Sequence, residues 1–182
     1  QKGVTIIEGT AQFTDKKTLK VGDDSYTADY IVIATGAKPR PLDFDGADLM
    51  LTSNDFFSLQ KLPRSIIFSG GGYIAFELAH IAMAAGCEVT IVAGEEKPLG
   101  IFENDLVTQL IQSTLDKGIN IRTGYEVIGV RHHGDKYTVV TERSATGKKS
   151  TLTAHCVFNT TGRVPALDKL NLKKAGIEYN EK

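Results

Sequence analysis

The sequence predicts an α/β domain in three layers, in which a parallel sheet carries helices on one face and an antiparallel β meander on the other. Three observations lead to this fold class. Between residues 65 and 121, apolar runs of strand length alternate with amphipathic helical segments in the order β-α-β-α-β. After residue 125 the apolar period changes to two, which is typical of antiparallel strands joined by tight turns. A final apolar run at residues 156–160 predicts one more buried strand.

The first βαβ unit is the clearest element in the chain. Residues 65–69 predict a strand, residues 73–85 a helix that ends at Gly86, and residues 89–92 a second strand. Apolar spacing predicts the core face of this helix to be Ile74, Leu78, Ile81 and Ala85. A second helix is expected at residues 104–117, with a core face of Leu106, Leu110, Ile111 and Leu115.

Shorter elements surround this unit. Residues 4–7 and 18–21 have strand-like composition, and residues 30–34 predict a strand buried on both faces. Proline-rich residues 38–48 predict a linker, and residues 56–59 a short helix after several candidate N-caps. Residues 119–121 predict the third parallel strand. The meander is expected at residues 126–131, 137–143 and 150–153.

Composition limits the classes of partner. The chain has 182 residues, of which 41% are hydrophobic, and a formal net charge of -1. It carries no basic footprint for nucleic acid and no apolar run of membrane-spanning length, so neither partner is expected. Cys87 and Cys156 are far apart along the sequence, without CxxC or CxxxxC spacing, and lie in apolar segments, which favours two buried thiols over a redox pair. A reducing, cytoplasmic location fits this usage.

A glycine loop follows the first strand of the βαβ unit. Gly70, Gly71, Gly72, Tyr73, Ile74 and Ala75 match the pattern GxGxxG/A. The first glycine permits a tight turn, Gly72 lets the backbone approach a pyrophosphate, and Ala75 keeps the helix close to the sheet. The N-terminal amides of the helix then face the phosphates. Between an apolar strand and an apolar helix, this pattern predicts a dinucleotide site.

The end of the second strand bears on the choice between NAD and NADP. An acid there binds the ribose hydroxyls, whereas arginines just beyond it bind a 2'-phosphate. Here the strand ends at Ala93, and Gly94, Glu95, Glu96 and Lys97 follow. Two acids and no arginine favour NAD, although each acid is also typical of a solvated loop, so the preference stays open.

The order of motifs resembles the pyridine nucleotide-disulfide oxidoreductases, the flavoproteins that include glutathione reductase, dihydrolipoamide dehydrogenase and mercuric reductase. The matching segments are residues 9–13, 28–36, 52–57, 70–77 and 161–165 with Leu170. The resemblance implies a Rossmann-like FAD/NAD(P)-binding fold. It divides the chain into residues 1–40 from an FAD-binding domain, 41–158 as the NAD(P)-binding domain, and 159–182 returning toward the FAD domain.

The resemblance also implies roles for single residues. Tyr73 would lie at the nicotinamide pocket and Glu77 beside the carboxamide, although an acid is also favoured in the first turn of any helix. Val127 would line the adenine side, where a strand valine is equally a core residue. Gly162 would pass close to the nicotinamide end. Three further residues would approach FAD through their backbone: Ala11, Thr35 and Gly36.

Three parts of the family pattern are not in these residues: the FAD-binding glycine loop, the redox-active cysteine pair, and the dimerisation domain with its histidine. We therefore expect a portion of a longer, homodimeric FAD enzyme that docks NAD(P)H for hydride transfer to the flavin and is inactive alone. No residue is predicted to be catalytic or to bind a metal. The alternatives are a free-standing dinucleotide sensor, a single-domain NAD-dependent dehydrogenase and, more remotely, a methyltransferase.

Overall fold

A computed structural model describes residues 3–180 of the protein. The described residues form thirteen strands: β1 (Ala11–Phe13), β2 (Thr18–Val21), β3 (Asp24–Thr27), β4 (Ala37–Pro39), β5 (Leu51–Thr52), β6 (Ser65–Ser69), β7 (Glu88–Ala93), β8 (Asn120–Thr123), β9 (Tyr125–His133), β10 (Lys136–Arg143), β11 (Lys149–Ala154), β12 (Cys156–Asn159) and β13 (Arg163–Pro165). The helices are α1 (Ser53–Phe56), α2 (Tyr73–Ala84), α3 (Asn104–Asp116) and α4 (Leu172–Ala175), with a 3₁₀ turn at Ala47–Leu49. No helix of this part of the chain is long and apolar enough to cross a membrane.

The chain divides into two compact units. The terminal unit comprises residues 3–38 and 163–180, and the central unit comprises residues 39–162. In the terminal unit, β1, β2 and β3 form an antiparallel sheet. The backbone N–H of Phe13 donates to the Leu170 carbonyl at 2.8 Å, and both side chains pack with Leu172 and Ala175. This small core ties the two ends of the described chain into one unit.

The predicted strand at residues 30–34 is wrong for the described structure. These residues pair with no other described strand, and Tyr30 and Val32 are 93% and 88% exposed. Residues 4–7 likewise form no strand. An apolar run is stabilised as a buried strand only where a neighbouring strand satisfies its backbone groups, and residues 3–180 supply none here.

The central unit has the predicted three layers. Its sheet is parallel, in the order β5-β12-β6-β7-β8, and the meander β9-β10-β11 forms a separate antiparallel sheet. Alternation along β6 separates the two cores. Ile66 and Phe68 pack on the helical side, whereas Ile67 packs with Val92 and Val139 on the meander side.

The helices bury different faces from those predicted. The buried residues of α2 are Ala75, Phe76, Leu78, Ala79 and Ala82. Three of these are alanines, which let the helix axis lie close to the sheet, and Ile81 is left exposed. The predicted core face of α2 was therefore correct at Leu78 and at the partly buried Ile74, but wrong at Ile81 and Ala85, both of which are exposed.

Helix α3 is also rotated from its predicted orientation. It buries Val107 and Thr114, and of the predicted face only Ile111 packs against the helical-side core. Leu106 is 66% exposed, and Leu110 and Leu115 are also exposed. Thr114 Oγ1 donates to the Leu110 carbonyl at 2.6 Å and lies 2.9 Å from His80 Nε2. Because that hydroxyl hydrogen is already used, His80 Nε2–H donates to Thr114 Oγ1. This buried polar link between α2 and α3 is not visible as apolar periodicity.

The short helix α1 is held at the end of β5 by its own first turn. The Asp55 carboxylate accepts hydrogen bonds from Thr52 Oγ1 at 2.6 Å and from the Thr52 backbone N–H at 2.7 Å. Phe56 is thereby placed against Phe68 and Phe158, with ring centroids 6.2 and 5.6 Å away. The cap therefore anchors one wall of the helical-side core.

We expect Asp55→Asn to destabilise the protein by about 1 kcal/mol at pH 7, the usual size of a lost helix cap. The hydrogen bonds from the hydroxyl and then the backbone N–H of Thr52 lower the Asp55 pKa below its usual 3.8. A lowered folded-state pKa means that the stabilisation is present above pH 3.8 and is lost as the pH falls through the folded-state value. Urea unfolding from pH 7 downward should therefore show the two proteins converging in acid.

The control is Asp48→Asn, which removes an acid that makes no hydrogen bond or ion pair within residues 3–180. It should leave the free energy of unfolding unchanged at pH 7. A loss in Asp55→Asn that is equally large at pH 7 and in acid would contradict the assigned role of the carboxylate.

Candidate functional site

The glycine loop connects β6 to α2 at the carboxyl edge of the parallel sheet. Gly70 begins the loop with a φ of +123°, a backbone conformation that residues other than glycine rarely adopt. Its N–H donates to the Val92 carbonyl at 2.7 Å. A Cβ built at Gly70 would lie 2.3 Å from the carbonyl oxygen of Thr160. Glycine is therefore required here by the protein's own packing.

The second glycine is also required by internal packing. A Cβ at Gly71 would lie 2.7 Å from the Cβ of Ala93 and 3.0 Å from that of Pro98. The Gly71 carbonyl accepts a hydrogen bond from the Leu99 backbone N–H at 3.0 Å. The loop after β7 is thus packed directly against the glycine loop.

The third glycine is different, because no atom of residues 3–180 occupies the space beside it. Gly72 has a φ of -88° and a ψ of 176°, which any residue can adopt. A Cβ built on it would meet no atom within 4 Å. Neither strain nor packing within the described residues explains a glycine at this position. The open space is what a close approach of a ligand to the backbone would need.

The residues that follow Gly72 carry hydrogen-bond donors that have no acceptor in the described part of the chain. Gly72 is the N-cap of α2 and has no side chain to cap the helix. Within residues 3–180 the backbone N–H groups of Tyr73 and Ile74 donate to no acceptor. These donors sit at the positive end of a 12-residue helix dipole, which favours an anion. Ala75, fully buried, holds the start of the helix against the sheet.

The predicted side chains of α2 lie around this helix start. Tyr73 is about half exposed, and Ile74 is partly buried against the helical-side core. Glu77 is exposed and is the fifth residue of α2, so the idea that it is merely a first-turn acid is wrong. Its role at a nicotinamide remains a prediction.

The end of β7 places the adenosine-side candidates. Ala93 is fully buried under Gly71, and Val127 is buried in the meander-side core. An acid that the sequence did not indicate lies here as well. A Cβ built at Gly94 would be 3.3 Å from Cγ of Glu126 and 3.5 Å from its Oε1. Glu126 belongs to β9, so no spacing along the chain connects it to the glycine loop.

The remaining predicted residues fall into two groups. Gly162 lies two residues after Thr160, whose carbonyl packs on Gly70. The Gly162 carbonyl accepts a hydrogen bond from the Arg40 N–H at 3.0 Å. The other three residues belong to the terminal unit. Ala11 pairs with Val21 in its sheet, Thr35 is exposed, and the Gly36 carbonyl accepts from the Ala166 N–H at 2.9 Å.

The thiols lie at the opposite edge of the sheet. Cys87 precedes β7 and Cys156 begins β12, so both are at amino ends of parallel strands. Burial raises the pKa of the Cys87 thiol, and burial together with nearby Cys87 raises the pKa of the Cys156 thiol. Raised pKa values suppress the reactive thiolate, consistent with the predicted structural role.

The same amino edge holds a Ser-His-Asp arrangement that the sequence did not indicate. Ser65 Oγ lies 2.7 Å from His155 Nδ1, and His155 Nε2 lies 3.7 Å from Asp135 Oδ2. The Ser65 hydroxyl also accepts from the His155 backbone N–H at 3.2 Å. The Asp135 distance exceeds a hydrogen bond, and the serine fastens the turn before β12 to the start of β6. No group of metal-ligating residues occurs in residues 3–180.

The whole chain, residues 1–182, matches the family described as Pyridine nucleotide-disulphide oxidoreductase. It is 32% identical to glutathione reductase of Nostoc sp. over 177 residues, which are 97% of this chain and 38% of that protein. It is 30% identical to mercuric reductase of Staphylococcus aureus, covering 99% of this chain and 33% of that one. Dihydrolipoamide dehydrogenase of Chaetomium thermophilum is 33% identical, with 100% and 38% covered. The chain thus spans between a third and two fifths of these relatives' length.

Solved structures agree with the sequence matches. The HOCl-induced flavoprotein disulfide reductase of Escherichia coli superposes with a TM-score of 0.85 at 26% identity, covering 97% of this chain and 40% of that chain. Its Cu(II) complex gives a TM-score of 0.87 at the same 26% identity. The chain belongs to the pyridine nucleotide-disulphide oxidoreductase family, and its Rossmann-like fold is that of a flavoprotein disulfide reductase.

Proposed function

We propose that the central unit is the NAD(P)H-docking part of a flavin-dependent disulfide oxidoreductase. The observation that carries this proposal is the open space at Gly72, which lies beside helix N–H groups that have no acceptor in the described protein. Both features fit a pyrophosphate, because a diphosphate needs close backbone approach and several N–H donors. No internal packing requirement accounts for them.

The loop residues would divide the work of holding the dinucleotide. Tyr73 and Ile74 donate their backbone N–H groups to the pyrophosphate, and Ala75 fixes the helix in place. Tyr73 and Glu77 face the nicotinamide half through their exposed side chains. Ala93 and Val127 form the floor of the adenosine side, where both are buried.

The chemistry belongs to the bound groups: NAD(P)H supplies a hydride and FAD accepts it. In this proposal Ala11, Thr35 and Gly36 approach the FAD through their backbone, and Gly162 passes the nicotinamide. The exposure of Tyr30 and Val32 supports an assignment of residues 1–40 to an FAD-binding domain whose sheet is completed by further chain. Residues 41–158 are then the NAD(P)-binding domain and residues 159–182 the return segment, within a cytoplasmic homodimer.

We expect Gly72→Ala to weaken NADH binding to the full chain by about tenfold or more, which corresponds to at least about 1.4 kcal/mol. The new Cβ fills the space needed for the pyrophosphate, and no atom of residues 3–180 lies within 4 Å of it. The fold should survive, with a cost of at most about 1 kcal/mol from the poorer N-cap. Fluorescence titration with NADH measures the affinity, and thermal unfolding checks the fold.

The matched control is Gly129→Ala in β9, outside the glycine loop. The added Cβ there makes ordinary contacts, at 3.7 Å with the Asp45 carbonyl oxygen and at 3.8 Å with the Val140 side chain. Its NADH affinity should equal that of the unaltered chain. Equal affinities for all three proteins would show that the dinucleotide does not approach Gly72, and would overturn the proposed site.

We further expect the chain to bind NAD(P)H without turning it over. Cys87 is buried and Cys156 is partly buried at the amino edge of the sheet, at the opposite end of the strands from the glycine loop, so they cannot serve as a disulfide acceptor there. The rate of NADH oxidation, followed as the decrease in absorbance at 340 nm with a disulfide such as oxidised glutathione present, should equal the rate measured without protein. Sustained NADH oxidation in the absence of added flavoprotein would contradict a purely docking role.

A further inference from the structure

The end of β7 lacks the acid that a dinucleotide site usually places there. In GxGxxG units an acid about 20 residues after the glycines binds the adenosine ribose hydroxyls. The corresponding positions here are Ala93, which is fully buried, and Gly94. Neither residue can accept a hydrogen bond through a side chain. The ribose would therefore need an acceptor from another element.

The Glu126 side chain lies beside Gly94, the residue that follows β7. A Cβ built at Gly94 would lie 3.3 Å from Cγ of Glu126, a tight contact, and 3.5 Å from the carboxylate oxygen Oε1. A side chain at position 94 would therefore contact Glu126 tightly, and the Glu126 side chain would have to shift by a few tenths of an ångström. The strand end is left small, and a carboxylate from β9 covers it.

The carboxylate of Glu126 is also free to bind. It is exposed, and it makes no hydrogen bond or ion pair within residues 3–180. Its neighbours differ in this respect. Glu142, its cross-strand partner on β10, lies 3.7 Å from Lys149 Nζ, and Glu96 lies 3.9 Å from Arg143 Nη2.

The arginines nearest this edge are engaged elsewhere. The guanidinium groups of Arg122 and Arg143 lie 4.3 and 5.8 Å from the centre of the Tyr125 ring. Arg122 also donates to Ser150 Oγ at 3.1 Å, and Arg143 has Glu96 as its partner. Within residues 3–180, Glu126 therefore offers an unpaired carboxylate for a hydroxyl beside Gly94, and the nearby Arg122 and Arg143 already have partners.

Resting on the proposed function, we propose that Glu126 accepts a hydrogen bond from the 2'-hydroxyl of the adenosine ribose and sets a preference for NADH over NADPH. The hydroxyl donates to the carboxylate, which is a charge-assisted bond. The 2'-phosphate of NADPH brings negative charge to the same point and is repelled. Glu126 is thus a specificity-determining residue supplied by the meander instead of by the βαβ unit.

The test compares the dissociation constants of NADH and NADPH for the full chain and for Glu126→Gln. The variant should lower the preference for NADH by about 10- to 100-fold, the effect expected for one hydrogen bond to a charged group. Removing the hydroxyl with 2'-deoxy-NADH should weaken binding to the unaltered chain more than binding to Glu126→Gln, because the Gln amide oxygen still accepts a hydrogen bond but without charge assistance. This second comparison links the carboxylate to that hydroxyl.

Two control variants separate this inference from its rivals. Glu142→Gln removes the cross-strand acid and should leave the preference unchanged. Glu95→Gln removes the carboxylate that lies 3.5 Å from a Cβ built at Gly71, and it should also leave the preference unchanged.

An NADH preference that is unaltered in Glu126→Gln, or that changes only in Glu95→Gln, would overturn the role of Glu126 while leaving the docking function intact. Failure of the unaltered chain to bind either dinucleotide would instead overturn the proposed function, and this inference with it.

Discussion

The approach of the Gly70 backbone to the Thr160 carbonyl is the constraint on which the candidate site depends. A side chain at Gly70 would lie 2.3 Å from that carbonyl oxygen, so β6 and β12 could not end side by side if one were present. The Thr160 hydroxyl and N–H both donate to the Ser69 carbonyl at 2.8 Å, which closes the same junction. With this junction closed, α2 starts directly at the sheet edge and its first N–H groups face outward.

The central unit separates its two edges by chemistry. The carboxyl edge carries open space, helix donors without acceptors, and an exposed carboxylate at Glu126. The amino edge carries Cys87, Cys156 and the Ser65–His155 hydrogen bond, whose polar groups are occupied by protein partners or suppressed by burial. Polar groups without protein partners thus lie at the carboxyl edge, and polar groups with protein partners lie at the amino edge. The two sets are separated because all strands of this sheet run in the same direction. A ligand is expected only at the carboxyl edge.

Much of this architecture follows from local sequence. The bounds of β6 were predicted residue for residue, and the change of period after residue 125 identified the meander, because both depend on alternation along a single strand. The faces of α2 and α3 were less predictable. The buried face of α2 is rich in alanines, and α2 and α3 are joined by the His80–Thr114 hydrogen bond. The spacing of large apolar residues predicts neither feature. Glu126 lies beside Gly94 because β9 packs near the end of β7, and this proximity cannot be predicted from a local sequence pattern. Residues 30–34 have the composition of a strand but no partner strand among the described residues, which a local pattern also cannot predict.

Backbone amide NMR tests most directly whether a pyrophosphate binds at the start of α2. Titration of the ¹⁵N-labelled chain with ADP-ribose, which carries the pyrophosphate and both riboses without the nicotinamide, should shift the amide signals of Gly72, Tyr73 and Ile74 most strongly. The amide of Gly134, in the turn between β9 and β10, should not move. Saturable shifts confined to other parts of the chain, with these three amides unchanged, would contradict the account.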